Sequence, residues 1–120
     1  MRRTFIPILV AVGCCFSGVA LAHGDDAKAA VQTIQGELVD LACYLEHGGH
    51  GEKHKACATS CAQSGLPIGL LDKHGHLYLL IGDHKPLNAQ VADKMGDTVT
   101  ATGTVSERNG MKMIEASSVQ

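Results

Sequence analysis

Five residues near the middle of the chain carry side chains that bind metals or exchange electrons. They read Cys43-x3-His47-x6-His54-x2-Cys57-x3-Cys61, with His50 between the first two histidines. On a helix, His54, Cys57 and Cys61 stand at i, i+3 and i+7 and project from one face. Cys43 has to be delivered by the preceding element, across a loop containing Gly48, Gly49 and Gly51. Three thiolates and one imidazole make a tetrahedral site for a soft cation, Zn(II) or Cu(I), with zinc–ligand distances of roughly 2.0–2.3 Å. His54 is the preferred fourth ligand. His47 and His50 are substitutes, because the glycine-rich loop lets several imidazoles reach.

The same residues allow two other chemistries. Cys43 bonded to Cys57 or Cys61 would staple the preceding element to the helix, stabilising the fold by about 2–4 kcal/mol. The third thiol would then be free to resolve a mixed disulfide, with His54 beside Cys57 lowering its pKa. A bond between Cys57 and Cys61 is disfavoured, since their Cβ vectors on a helix run parallel. Alternatively the cysteines are small core residues, on the same side of the helix as Ala58 and Ala62. Three cysteines interleaved with histidines favour metal binding over both.

Further imidazoles lie elsewhere. His74 and His76 flank Gly75, and His84 follows Asp83. These are weaker metal candidates, because turns are polar and a histidine there is ordinarily solvated. No Ser-His-Asp arrangement, phosphate-binding loop or paired carboxylate stands out, so an enzyme is not the first choice.

The compartment decides which sulfur chemistry is open. The chain has 120 residues and begins MRRTFIPILVAVGCCFSGVALA. Arg2 and Arg3, an apolar run from Ile6 to Ala20, and Ala20-Leu21-Ala22 are the three parts of a secretory signal over residues 1–22. The run is short for a membrane span, so no span is expected after signal removal. Val10-Ala11-Val12-Gly13-Cys14 offers a second processing pattern, leaving a lipid anchor on Cys14. Cleavage after Ala22 is favoured and implies export, to a periplasm. It would leave 98 of the 120 residues, move the net charge from −2 to −4 through loss of two arginines, and expose His23, whose amine and imidazole together can chelate Cu(II). Cys14 and Cys15 leave with the signal, and an odd count of three cysteines remains.

The elements that must hold these residues read as follows. Residues 23–31 are polar and Ala-rich and form a flexible arm. A barrel domain occupies 32–120. "TIQGELVDLACYL" from Thr33 is strand one, placing Cys43 near its end, and Glu52 to Ser64 is a helix stopped by Gly65 and Pro67. Ile68–Leu71 and Leu77–Ile81 flank a hairpin turn. "PLNAQVADKMG" is a short helix burying Leu87, Val91 and Met95 at a spacing of four. "TVTATGTV" alternates cleanly, and Asn109-Gly110 turns it into "MKMIEASSV". The fold expected is mainly β: a five-stranded barrel with a Cys-bearing helix between strands 1 and 2 and a short helix between strands 3 and 4.

On "GELVDLACYL" and "GDTVTATGTVSERNGMKMIEASSV", the chain resembles the small exported OB-fold proteins of bacteria. The tail motif covers about a quarter of the mature chain and speaks to fold. There is a more distant resemblance to the exported OB-fold copper and silver chaperones, whose strand-borne Met and His hold Cu(I). It would assign Met111 and Met113 as ligands, although the tryptophan cap of such sites is absent here. Nucleic-acid binding, common among OB-folds, needs a basic groove with aromatics. This chain is acidic and has two tyrosines. The expected role is buffering, delivery or sensing of copper or zinc by an exported protein, with a protein partner for metal or thiol exchange as a further possibility. A thiol-disulfide redox or disulfide-stapled interaction module is the alternative.

Overall fold

The computed structural model describes residues 29–120. The proposed signal, the Cys14 lipidation site and His23 lie outside the described residues. Strand β1 (Ala30–Asp40) is followed by helix α1 (Leu41–His47), a 3-10 turn (Glu52–His54) and helix α2 (Lys55–Gln63). Then come β2 (Ile68–Asp72), β3 (Leu77–Ile81), helix α3 (Asn88–Val91) running into a second 3-10 turn (Ala92–Lys94), β4 (Thr98–Arg108) and β5 (Met111–Val119). The strands close into a barrel in the order β1-β2-β3-β5-β4. β3 and β5 are parallel, and the other neighbouring pairs are antiparallel. This is the mainly β, five-stranded barrel expected from the sequence, and it is compatible with an OB-like fold.

Two glycines permit the closure. β1 is shared: Ala30–Glu37 pair with β4, and Gly36–Asp40 pair with β2. At the overlap, a Cβ on Gly36 would stand 2.6 Å from the Leu71 carbonyl oxygen. At the β4–β5 irregularity between Thr102 and Gly103, a Cβ on Gly103 would stand 2.1 Å from the Glu115 carbonyl oxygen. Only a residue without a side chain lets the backbones approach so closely.

The hairpin signals behave as their chemistry requires. Asn109 and Gly110 both take positive φ, 52° and 81°, the twist of a two-residue hairpin loop. Leu38, Ile68, Leu70, Met95 and Ile114 are fully buried at the centre. The expected stripe Leu87, Val91, Met95 is buried, although the helix carrying it is broken into one α-turn and one 3-10 turn. β1 begins at Ala30, inside the stretch expected to be a loose arm.

One expectation is corrected, and it concerns the site. Strand one does not continue through Cys43. It ends at Asp40, which is 1 % exposed and accepts a 2.8 Å hydrogen bond from the Cys43 backbone N–H as the N-cap of α1. Apolar composition over "LACYL" does not separate strand from helix, whereas an Asp cap and a left-handed Gly48 (φ 71°) at the other end define a helix.

Candidate metal centre

α1 and α2 are the insertion between β1 and β2, and the three cysteines sit on them. Ala58 and Ala62 of α2 are buried against the barrel. That seats the helix, and it leaves Cys57 exposed and Cys61 half-buried at its flank. The reading of the cysteines as core fillers therefore fails for Cys57. α1 turns back through Gly48, whose N–H donates to the Tyr44 carbonyl at 2.8 Å, and Gly49, whose N–H donates to the Cys43 carbonyl at 3.2 Å. Gly51, at φ 76°, then starts the 3-10 turn that ends on His54 and leads into α2. Its N–H donates to Glu37 on β1, tying the loop to the barrel.

The geometry brings the sulfurs together. One Sγ each from Cys43, Cys57 and Cys61 lie within 4.8 Å of one another. Cys43 Sγ also lies with one ring nitrogen each of His47 and His54, again all within 4.8 Å of one another. The donors thus form two triads with Cys43 common to both. The imidazoles of His47 and His54 meet edge to face with centroids 5.4 Å apart. All three thiols are free.

Two buried polar atoms at this centre have no hydrogen-bond partner among the described residues: Nε2 of His54 and Oδ1 of Asp40. The Asp40 carboxylate acts instead on the neighbouring thiol. Hydrogen bonding to Asp40, burial and the carboxylate's charge, with smaller contributions from Cys61 and Cys57, push Cys43 up to about 12. Burial, then the charge of Asp40, also pushes Cys61 above its ordinary value. A carboxylate beside thiols keeps them protonated while no cation is present, and favours any cation that replaces their protons.

The donor set fits a soft metal. Trigonal or tetrahedral thiolate coordination at about 2.3 Å places sulfurs roughly 3.8–4.0 Å apart, inside the 4.8 Å limit within which these three lie. Nothing in the ligand chemistry needs a further group brought from outside the two helices and their connecting loop. An unpaired buried imidazole nitrogen costs stability that a ligated ion would restore.

The remaining candidates are placed elsewhere. His50 joins neither triad; its Nδ1 lies 3.6 Å from Glu37 Oε2 and its ring 6.1 Å from that of Tyr44. His74 and His76 are adjacent, centroids 6.2 Å apart, and His76 Nδ1 is taken by Asp72 Oδ2 at 2.9 Å. His84 joins a different group, with Asp83 and Glu115, and its Nδ1 lies 2.7 Å from Glu115 Oε1 on the exposed surface. Met111 is exposed at the start of β5, and Met113 is half-buried opposite Ser106. Sequence reasoning missed Asp40, and took Gly49 only as part of a pliant loop rather than as the residue lying against both rings. The signal for Asp40 is its position three residues before Cys43, the spacing at which a capping carboxylate meets the N3 residue.

The chain matches no protein-family model, no curated protein and no solved structure.

Proposed function

We propose that this protein binds a soft transition metal, copper(I) or zinc(II), through Cys43, Cys57 and Cys61 with His54 and His47 alongside, and that it buffers, delivers or senses that metal after export. The supporting observation is the convergence of three thiol sulfurs, from two helices, to within 4.8 Å of one another. Exposure of Cys57 gives the ion a route in and out by ligand exchange. His50 is a reserve ligand only if the loop rearranges, since it pairs with Glu37.

The raised thiols argue against Cys43 and Cys61 as redox nucleophiles. A reactive cysteine needs a depressed pKa, and Cys43 and Cys61 are raised. His54, expected to activate Cys57, instead keeps company with Cys43 and His47. Export rests on the Arg2-to-Ala22 pattern, and the intact mass of the secreted form distinguishes cleavage after Ala22 from a lipidated Cys14.

Titration of the reduced chain with Cu(I) and with Zn(II), each against a chromophoric competitor, tests the assignment. Tight binding that disappears in the Cys57→Ala, Cys61→Ala double variant supports it. Binding indifferent to that double change would refute it, as would no binding of either metal. A count of one free thiol in denatured secreted protein would favour the disulfide-stapled alternative.

A further inference from the structure

We propose that the centre holds a pair of copper(I) ions bridged by the Cys43 thiolate, one ion in the three-sulfur triad and the other between Cys43, His47 and His54. This rests on the metal-binding reading above and adds the nuclearity, the second ligand set and the oxidation state.

A single four-coordinate ion needs all its ligand atoms mutually close, roughly 3.3–3.8 Å apart for nitrogen and sulfur donors. Here the close groups are Cys43-Cys57-Cys61 and Cys43-His47-His54, and Cys43 is the one member they share. Five donors with one in common make two three-coordinate sites. Three-coordination by soft sulfur and imidazole suits Cu(I), a d10 ion content with a trigonal shell, better than Zn(II), which takes four ligands. A deprotonated thiolate has lone pairs to spare for two soft ions, so Cys43 can serve both.

The histidine half of the centre carries its own marks. His54 Nε2 is buried with no hydrogen-bond partner among the described residues. Gly49 lies against both rings: a Cβ there would stand 2.7 Å from His54 Nε2 and 2.9 Å from His47 Cε1. The loop thus leaves room for a pair of imidazoles, and no described residue hydrogen-bonds to Nε2 of His54. Charge is consistent with two monovalent ions. Loss of three thiol protons to two Cu(I) leaves one net negative charge on the ligand cluster.

Cu(I) titration of the reduced chain, read by native mass spectrometry and by competition with a Cu(I) chelator, decides the matter. The expected result is two copper ions per chain, and a copper–copper shell in x-ray absorption. His47→Ala with His54→Ala should lower the count to one while leaving the melting curve of the metal-free protein cooperative. Gly49→Ala changes no ligand and should likewise leave only the three-sulfur ion held tightly. Cys43→Ser should abolish tight binding of both. One copper in the unaltered chain, insensitive to the histidine changes, would overturn the pair and leave the metal-binding assignment standing. Two coppers retained in the double histidine variant would overturn the second ligand set. No copper at all would overturn both.

Discussion

Replacing Asp40 by Asn keeps the cap and removes the charge. Asn and Asp are equivalent N-caps, so α1 should still form and still hold Cys43 in place. What changes is the thiol. Asp40 is the first cause of the rise of Cys43 to about 12 from its ordinary 9.0, through a hydrogen bond and again through its charge. If the whole rise were removed, the thiolate fraction at neutral pH would grow by about a thousandfold. A less basic thiolate is also a weaker nucleophile, with a Brønsted slope of about 0.4–0.5, which offsets a factor of about 15–30. The alkylation rate of Cys43 should therefore rise by at most about 30–60-fold. Burial and the neighbouring thiols remain, so an increase near tenfold is expected. The assay is timed alkylation of the metal-free, reduced protein, with each cysteine quantified by peptide mass spectrometry and exposed Cys57 as the internal reference. An unchanged Cys43-to-Cys57 ratio in Asp40→Asn would refute the account of how the carboxylate controls this sulfur.

Two more perturbations test the frame that carries the site. Gly103→Ala puts a methyl 2.1 Å from the Glu115 carbonyl oxygen, against backbone that cannot swing aside. It should cost about 1–3 kcal/mol or more and lower the melting temperature by at least about 4 °C, and an unchanged melt would show that the β4–β5 crossing is looser than described. Asp72 is nearly buried, which pushes its carboxyl up. Hydrogen bonds from the His76 ring and from the backbone N–H groups of His76 and His74 outweigh this and hold it below its ordinary 3.8. Its folded pKa is depressed, so its stabilising contribution is present above pH 3.8 and is lost as pH falls through the folded value. Urea unfolding at a series of acid pH values should show a flatter acid limb for Asp72→Asn than for the unaltered chain, and parallel limbs would contradict the assignment.

Much of the barrel was written in local pattern. Period-two alternation in β4, the Asn109-Gly110 turn and the Leu87-Val91-Met95 stripe each depend on a few adjacent residues, so each was legible from the chain alone. The sequence also named the three cysteines and the histidines and put two of the sulfurs on one helix. It misread the element under Cys43. "LACYL" satisfies strand and helix equally, and the choice falls to Asp40, whose buried carboxylate caps a helix only once β1 has been fixed between β2 and β4.

What tertiary structure alone decided is which of the metal-ligating side chains meet. His47 and His54 could have joined Cys57 and Cys61, and His50 could have joined either. The left-handed turn at Gly48, the hold of Glu37 on Gly51 and the packing of Gly49 against the two rings send His50 toward the barrel and leave His47 and His54 on Cys43. Chain spacing sets how far a side chain can reach. The direction in which it points is set by backbone angles and by contacts with strands many residues away, and those exist only in the folded molecule.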